Sequence, residues 1–341
     1  MKINIVIGSY LEPELVERIA SSSDDLTVHY RPDLLPVPRY ACDHSAPARE
    51  LTSEQVNEWK AIAATADIFF DFDWLDPATM AQRCSNLKWI QGTSAGIGGV
   101  MQRSGLDQTS IVATTAGGIH AVPLAEFALM GALYFVKGVP FLNELKAYCH
   151  WERYTTRELR GLRALVIGLG GIGREVARVF AAMGVDVTGL GRQGRSYEVD
   201  GVTRFIGRSK LDDTLGDVDI VILTAPLTGE TRGIIGADQL ARLPLGALVI
   251  NVSRGPLIDE PALIEALLSG NLGGACLDVY AEEPLPLSSP LWELDNVILS
   301  PHSASTVQTE NEDLVELFLE NLDHWRRGEL LRNLYDPVAG Y

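Results

Sequence analysis

Three side chains in the last third of the chain could carry out acid–base chemistry together. Arg254, Glu283 and His302 each stand a few residues after a short apolar run. A guanidinium binds carboxylates through paired hydrogen bonds, and it can also polarise a keto oxygen. An imidazole can donate a proton, and a nearby carboxylate favours the imidazolium and orients the ring. The set predicts proton transfer to a small keto acid, although each residue alone also fits an ordinary surface or core position.

The apolar runs that must position these residues read as strands that alternate with helical patterns. The predicted strands are Ala164–Gly168, Val185–Gly191, Val218–Ala225, Ala247–Val252, Gly274–Val279 and Val297–Ser300. Such alternation predicts a parallel sheet, and ligands of open α/β sheets bind at the carboxyl ends of the strands. Because Arg254, Glu283 and His302 follow the last three strands, we expect them to converge on one site.

A glycine-rich segment follows the first of these strands and leads into an amphipathic helix. Gly168, Gly170 and Gly173 have the G-x-G-x-x-G spacing. In such a loop the first glycine permits a tight turn, the second lets the backbone approach a pyrophosphate, and the third brings the helix close to the strand. The start of the helix, with Gly171 and Ile172, offers free N–H groups to the phosphates. The segment predicts a dinucleotide site, the alternative being a glycine turn without a ligand.

The second strand of this region ends without the acidic residue that binds the ribose of NAD. That residue is expected about 20 positions after the glycine loop. Here the strand ends at Gly191, and Arg192 and Arg195 follow. A guanidinium pairs with a phosphate through two hydrogen bonds, and the missing carboxylate removes a charge that would repel it. We therefore expect NADPH/NADP as the cofactor, with NAD as the alternative if both arginines are solvated loop residues.

In the order and spacing of its motifs, the chain resembles the D-isomer-specific 2-hydroxyacid dehydrogenase family over nearly its whole length. The motifs are the loop Gly168–Gly173, TAPLTGETRG at Thr224–Gly233, NVSRGPLID at Asn251–Asp259, LDVYAEEPLP at Leu277–Pro286 and SPHSA at Ser300–Ala304. The segment GRQGR after the second strand resembles the cofactor loop of NADPH-preferring glyoxylate/hydroxypyruvate reductases.

The resemblance implies roles for individual residues. It implies that Arg254, Glu283 and His302 are the catalytic triad, and that Arg254 and His302 also contact the substrate. It implies that Ala95 and Gly96 offer backbone N–H groups to the substrate carboxylate. Gly98 stands where the family often has Asp or Asn, which leaves the substrate preference open. Further cofactor contacts are implied for Ala225, Pro226, Thr231, Val252, Ser253 and Asp278, the last beside the nicotinamide carboxamide.

The fold expected for the whole chain is α/β, with two Rossmann-like or flavodoxin-like domains built on parallel sheets. The first third also alternates, with strands predicted at Ile3–Gly8, Leu26–Tyr30, Asp67–Asp73, Leu87–Gly92 and Ile111–Thr115. The resemblance implies a discontinuous substrate-binding domain of residues 1–118 and 303–341. It further implies a dinucleotide-binding Rossmann domain of residues 119–302, with the active site in the interdomain cleft.

The segment AVPLAEFALMGALYFVKGV, which starts at Ala121, is apolar on almost all sides. A helix of this kind is buried in a core or against another chain. We expect a partly intermolecular role, and the resemblance implies that the segment forms the contact of a homodimer.

Composition excludes several classes of partner. The chain has 341 residues and a formal net charge of −17, which disfavours nucleic acid and anionic membranes. Its 4 cysteines are scattered without a C-x-x-C pair, which is typical of reduced thiols and not of a zinc site. The apolar runs are too short for a signal peptide or a membrane span. We expect a cytoplasmic protein without a metal.

The function predicted from these observations is the reduction of a small 2-keto acid, of the glyoxylate or hydroxypyruvate type, to the D-2-hydroxy acid. NADPH would give the hydride and His302 the proton. One alternative is an NADH-preferring dehydrogenase of a bulkier D-2-hydroxy acid, and a separate one is the oxidation of phosphoglycerate. Another is a dinucleotide-sensing binding protein of the same fold, because fold alone does not decide function.

Overall fold

The computed structural model describes residues 2–192 and 198–338, and the chain divides into two compact units. Unit 1 is Met1–His120 with Thr306–Tyr341, and unit 2 is Ala121–Ser305. Each unit is built on its own parallel sheet, one of five strands and one of seven. The prediction of two α/β domains with parallel sheets is confirmed. The assignment of substrate binding to the first unit stays a prediction.

The sheet of unit 1 has the strand order β2-β1-β3-β4-β5. Its strands are β1 (Ile3–Ile7), β2 (Leu26–His29), β3 (Ile68–Phe70), β4 (Trp89–Gln91) and β5 (Val112–Thr114). Every residue of β3 and β4 is buried. This explains why β3 reads as a continuous apolar run, since a central parallel strand is covered on both faces.

The helices of unit 1 come from both ends of the chain. They are α1 (Pro13–Ala20), α2 (Ser53–Ala63), α3 (Met80–Arg83), α4 (Gly98–Ser104) and, numbered in chain order, α11 (Glu310–Arg327). Phe318 of α11 stacks on Trp89 of β4 with ring centroids 5.1 Å apart, and it meets Phe70 of β3 edge-on. The C-terminal helix is therefore part of the core of unit 1.

The sheet of unit 2 has the strand order β12-β11-β10-β9-β6-β7-β8. Its strands are β6 (Arg163–Ile167), β7 (Asp186–Leu190), β8 (Val202–Ile206), β9 (Ile220–Leu223), β10 (Ala247–Asn251), β11 (Leu272–Leu277) and β12 (Val297–Leu299). Sequence reasoning missed β8. This strand lies at the edge of the sheet and Thr203, Arg204 and Phe205 are exposed, so it lacks the apolar run of a buried strand.

The helices of unit 2 are α5 (Ala121–Val136), α6 (Val139–Ala147), α7 (Gly171–Ala182), α8 (Leu211–Leu215), α9 (Ala237–Arg242) and α10 (Glu260–Leu268). The apolar segment that begins at Ala121 is not one helix. Gly138 has a φ of 65°, in the left-handed region that favours glycine, and it separates α5 from α6.

Helix α5 lies directly against the sheet of its own unit. A Cβ at Gly131 would come within 2.5 Å of the Cys276 sulfur, and one at Gly274 would come within 2.6 Å of the Phe135 ring. Part of the apolar character of α5 is therefore explained by packing inside unit 2. Among residues 2–192 and 198–338, no single helix has the length and apolar composition to cross a membrane. Helices α5 and α6 meet those criteria only as a pair, bent by 59°.

Candidate active site

Three neighbouring strands of unit 2 carry Arg254, Glu283 and His302 beyond their carboxyl ends. The strands β10, β11 and β12 lie side by side and are parallel. Arg254 follows β10, Glu283 follows β11 and His302 follows β12. The sheet thus brings together three residues, the first and last of which, Arg254 and His302, are 48 positions apart in the sequence.

His302 and Glu283 are in direct contact. The Nδ1 atom of His302 lies 2.8 Å from Oε2 of Glu283. The other carboxylate oxygen of Glu283 accepts the backbone N–H of Tyr280 at 3.0 Å. This second bond fixes the carboxylate, and the carboxylate in turn fixes the imidazole ring and leaves its Nε2 atom available for a substrate.

The charges of the site shift the pKa values of the pair in opposite directions. The pKa of His302 is raised, first by the hydrogen bond to Glu283 and then by the charge of that carboxylate, against the effect of burial. Burial acts to raise the pKa of Glu283, but the hydrogen bonds from His302 and Tyr280 outweigh it, so this pKa is lowered. The pair therefore favours an imidazolium beside a carboxylate.

Arg254 is half-buried and its charge acts on both members of the pair. Its Nη1 donates to the carbonyl oxygen of Ser253 at 2.7 Å. Its own carbonyl oxygen accepts from Nδ2 of Asn251 at 3.1 Å. Burial lowers the pKa of Arg254, while Glu283 and Asp278 act in the opposite direction. A partly desolvated guanidinium in this position can bind a carboxylate or a keto oxygen strongly.

Asp278 holds the turn that carries His302. One oxygen of its buried carboxylate accepts from the Ser300 hydroxyl at 2.6 Å, and from the backbone N–H groups of Ser303 at 2.9 Å and Ala304 at 3.0 Å. His302 has a φ of 56°, which side-chain-bearing residues adopt rarely, so its turn needs such support. The predicted position of Asp278 beside the nicotinamide carboxamide stays a prediction.

Sequence reasoning missed two residues that support the same turn. The hydroxyl of buried Tyr280 donates to the carbonyl oxygen of Ser300 at 2.9 Å, and it lies 3.1 Å from that of Leu277. Ser300 donates to Asp278 as described above. A tyrosine inside the segment between β11 and Glu283 was the available signal, because a buried phenol needs a hydrogen-bond partner.

The glycine loop joins β6 to α7 by a tight turn that leaves an open space at the start of the helix. Gly168 has a φ of 102°, and a Cβ there would lie 2.6 Å from the Cα atom of Ala225. A Cβ at Gly173 would overlap the carbonyl oxygen of Gly168, whereas a Cβ at Gly170 would meet nothing within 4 Å. Helix α7 starts at Gly171 without a side-chain cap. Gly171 and Ile172 therefore present backbone N–H groups beside an open space, which fits a phosphate group.

Most of the remaining predicted cofactor residues lie in the loops after β9 and β10, and Thr224, which follows β9, is hydrogen-bonded to the glycine loop. Thr224 Oγ1 donates to the carbonyl oxygen of Gly168 at 2.7 Å. Ser253, which follows buried Val252, donates its hydroxyl to the carbonyl oxygen of Ala225. Within the next loop, Thr231 donates to the carbonyl oxygen of Pro226 at 2.6 Å. Ala225, Pro226, Val252 and Ser253 all lie beyond the carboxyl ends of β9 and β10, which are neighbours in the sheet.

The end of β7 has the features expected from the sequence as far as the described residues extend. Gly191 follows β7 and donates its N–H to the carbonyl oxygen of Ile206 at 3.2 Å. Arg192 comes next and its side chain is exposed. Arg195 lies outside the described residues. The end of β7 therefore presents a basic residue where an NAD site has an acid.

The predicted substrate residues Ala95 and Gly96 belong to unit 1. They lie in the turn between β4 and α4, where Ala95 is half-buried and Gly96 is exposed. The N–H of Gly96 donates to Oγ of Ser94 at 3.2 Å. Their contact with a substrate carboxylate stays a prediction.

Comparison with known proteins identifies the family of this chain. The family model described as D-isomer specific 2-hydroxyacid dehydrogenase, NAD binding domain, matches residues 129–304. The chain belongs to this family. The predicted resemblance is thereby confirmed, as is the prediction of an NAD(P)-dependent oxidoreductase that acts on 2-hydroxy acids.

Two relatives and one solved structure illustrate the likeness. Glyoxylate/hydroxypyruvate reductase A of Salmonella paratyphi B is 28% identical over 304 residues, 86% of this chain and 94% of that protein. D-3-phosphoglycerate dehydrogenase of Archaeoglobus fulgidus is 30% identical over 288 residues, 84% of this chain but only 53% of that protein. A D-isomer specific 2-hydroxyacid dehydrogenase of Xanthobacter autotrophicus Py2, crystallised with NADPH and MES, superimposes with a TM-score of 0.79 and 30% identity, over 100% of both chains.

Proposed function

We propose that this dehydrogenase reduces a small 2-keto acid, of the glyoxylate or hydroxypyruvate type, to the D-2-hydroxy acid. The observation that carries the proposal is the 2.8 Å contact between His302 and Glu283. With Arg254 beside it, this pair combines a proton donor with a cation for the carboxylate or keto oxygen. The relative named glyoxylate/hydroxypyruvate reductase A, which aligns over 86% of this chain, supports the substrate type.

In this reaction each side chain acts at a defined atom. Glu283 holds Nδ1 of His302, so Nε2 donates the proton to the keto oxygen. Arg254 binds the substrate carboxylate or polarises the keto oxygen. The N–H groups of Ala95 and Gly96 would also bind the carboxylate, with the Gly96 N–H exchanging its bond to Ser94 Oγ for the substrate. The bound dinucleotide supplies the hydride that adds to the keto carbon. One hydride and one proton together convert the keto group into the hydroxyl group of the product.

We propose NADPH as the preferred cofactor. Arg192 and Arg195 would bind the 2′-phosphate, and the absence of an acid at Gly191 removes the repulsion that such a phosphate would meet. The NADPH-bound structure from Xanthobacter autotrophicus supports this choice, since it aligns with the whole chain.

The test compares the oxidation of NADPH and NADH by the purified protein with hydroxypyruvate and with glyoxylate. We expect the wild type to use NADPH faster. The double variant Arg192→Ala/Arg195→Ala should lose about ten- to a hundredfold in kcat/KM for NADPH, because two charge-assisted contacts are removed, and keep its rate with NADH.

A matched double variant, Arg160→Ala/Arg242→Ala, removes two arginines of unit 2 that the proposal does not use, and it should behave as the wild type. Equal or better use of NADH by the wild type would contradict the cofactor proposal and favour the NADH-preferring alternative. A lack of turnover with either cofactor and any 2-keto acid would contradict the proposed reaction and favour a dinucleotide-sensing role.

We also propose that the protein is a homodimer and acts in the cytoplasm. In the segment from the start of α5 to the start of β6, seven large apolar side chains are exposed, namely Val122, Met130, Phe141, Leu142, Tyr148, Trp151 and Tyr154. Exposed apolar surface of this kind supports a contact with a second copy. The four cysteines are all free thiols, which supports a reducing compartment.

A further inference from the structure

The turn that carries Glu283 is exposed to solvent and has little structure of its own. Strand β11 ends at Leu277, and the next helical turn begins at Pro290, with every residue between them described. Residues 281–284 are all exposed, so the packing of their side chains cannot fix the turn. The Glu283 carboxylate nevertheless lies 2.8 Å from the His302 ring. Contacts with neighbouring segments must therefore keep the turn in place.

The peptide group between Tyr280 and Ala281 is held at two points. A Cβ at Gly255 would lie 1.8 Å from the carbonyl oxygen of Tyr280, so the backbones of these two segments are in direct contact. The N–H of Ala281 donates to Oε2 of Glu260 at 2.9 Å. Gly255 and Glu260 both follow Arg254 closely in the chain. The segment that carries Arg254 thus holds the turn that carries Glu283.

The bond from Ala281 to Glu260 attaches this turn to the rest of unit 2. Among the described residues, no other hydrogen bond joins the backbone of residues 281–284 to another part of the chain. The N–H of Tyr280 bonds to Glu283, which closes the turn on itself but does not attach it. Loss of the Glu260 carboxylate would leave the turn with the contact at Gly255 and with the side-chain bonds of Glu283 itself.

Helix α10 gives the Glu260 side chain a fixed base. Glu260 is the first residue of this helix, and the side chain of Asp259 before it accepts the N–H of Ala262 at 3.2 Å. Leu263 and Leu267 of the same helix are buried in the core of unit 2. A carboxylate attached to such an element can hold a mobile partner, because the helix itself does not follow the movement of the turn.

The position of Glu260 also has an ordinary explanation, which its contact goes beyond. An acid in the first turn of a helix is favourable because it faces the positive end of the helix dipole. That role needs no particular partner. The Glu260 carboxylate, however, accepts a backbone N–H that lies 21 residues further along the chain, and a hydrogen bond to a carboxylate is stronger than one between neutral groups.

We propose that Glu260 is a positioning residue of the active site: it holds the turn from Tyr280 to Glu283 and so fixes the Glu283 carboxylate against His302. This inference rests on the proposed function and adds a residue that acts through the turn and not on the substrate. The hydrogen bond to Ala281 is the cause, so a neutral side chain of the same length that can accept this bond should replace Glu260.

The test compares Glu260→Ala with Glu260→Gln in the reduction of hydroxypyruvate. Glu260→Ala removes the acceptor, so kcat should fall about tenfold while KM stays within about twofold, because the displaced groups act on the proton transfer. The alkaline limb of kcat/KM should also move to lower pH, since Glu283 no longer holds up the pKa of His302. Glu260→Gln keeps an oxygen for Ala281 and removes the charge, so it should retain the limb and a kcat within about twofold of the wild type.

Glu265→Ala, at an exposed position of the same helix, is the matched control and should behave as the wild type. A lower melting temperature of Glu260→Ala with an unmoved alkaline limb would mean that Glu260 only stabilises α10, and this would overturn the inference. An equal shift of the limb in Glu260→Gln would overturn it too, because the charge of Glu260 and not its hydrogen bond would then be the cause.

A titration without substrate separates this inference from the proposed reaction. The imidazole signals of the purified protein, labelled with ¹³C-histidine, are followed by NMR as the pH is raised, and His302→Gln identifies the signal of His302. The midpoint for His302 should be lower in Glu260→Ala than in the wild type and unchanged in Glu260→Gln. If no 2-keto acid is reduced but this shift is found, the proposed reaction fails and the positioning role stands. An unchanged midpoint in Glu260→Ala overturns the role whatever the enzyme reduces.

Discussion

At the scale of single residues, Glu283 sets the pH up to which His302 keeps its proton. The pKa of His302 is raised above the ordinary value of 6.5 by the hydrogen bond to Glu283 and by the charge of that carboxylate. The imidazolium form therefore persists to a higher pH than in an isolated histidine. In the proposed reduction this form is the proton donor, so activity is present below the raised pKa and is lost as the pH rises through it.

The first prediction concerns Glu283→Gln. Without the carboxylate charge the pKa of His302 should fall, so the alkaline limb of kcat/KM for keto acid reduction should move to lower pH. The pH profile, measured between about pH 5 and pH 10, checks this. Glu282→Gln, at the exposed neighbouring position, should leave the limb in place. An unmoved limb in Glu283→Gln would show that the titrating group is not His302 under the control of Glu283.

At the scale of elements, two glycines in the connection from β6 to α7 are needed for different reasons. Gly173 has no room for a side chain, because a Cβ there would overlap the backbone of Gly168. Gly170 has room in the protein, since nothing lies within 4 Å of its would-be Cβ. Gly173 is thus required for the packing of α7 on β6, whereas Gly170 is required only if a ligand approaches the backbone.

The second prediction uses this difference. Gly170→Ala should keep the melting temperature of the wild type and weaken NADPH binding by about tenfold or more, because the added methyl group stands where the pyrophosphate approaches. Gly173→Ala should both weaken NADPH binding and lower the melting temperature, because the backbone of Gly168 has to move to make room for the methyl group. Scanning calorimetry and fluorescence titration with NADPH measure the two effects.

Gly216→Ala serves as the control for both variants. Its would-be Cβ is in ordinary contact with one atom, 3.9 Å away, so neither stability nor NADPH binding should change. Unchanged NADPH affinity in Gly170→Ala would contradict the assignment of the open space to the pyrophosphate.

At the scale of the whole molecule, the proposed dimer explains the apolar surface of unit 2 that internal packing leaves uncovered. One side of α5 contacts β11 through Gly131 and Phe135, but Val122 and Met130 of the same helix are exposed. Trp151, in the segment after α6, is 96% exposed. Apolar side chains of this size cost free energy when they are exposed to water, and a partner surface would offset that cost.

The third prediction follows from this surface. The wild type should have twice the mass of one chain by light scattering during gel filtration. The double variant Phe141→Ser/Trp151→Ser should shift the population toward single chains, because apolar contacts at the proposed interface are lost. Leu245→Ser replaces a residue of unit 2 that is 82% exposed outside this surface, and it should remain dimeric. A wild type with the mass of one chain would contradict the dimer.

The local patterns of the sequence predicted most of the elements but not their irregular ends. Buried strands such as β9 and β10 read directly from their apolar runs. Their predicted ends, Ala225 and Val252, lie two residues and one residue past the observed ends, Leu223 and Asn251, because the apolar pattern continues into the turns. The edge strand β8 was missed since its residues face water. The break at Gly138 was missed since the apolar pattern continues across it.

For this protein, the sequence by itself determined the fold class and the family, and it predicted which residues are chemically active. Glycine spacing, apolar runs, and the positions of Arg254, Glu283 and His302 after strands are all local features, and the chain order preserves them. Only the tertiary structure decided which side chains meet. The three hydrogen bonds that Asp278 accepts depend on strands and connections that are distant in sequence. Contacts of that kind follow from sheet order and long-range packing, which no short pattern encodes.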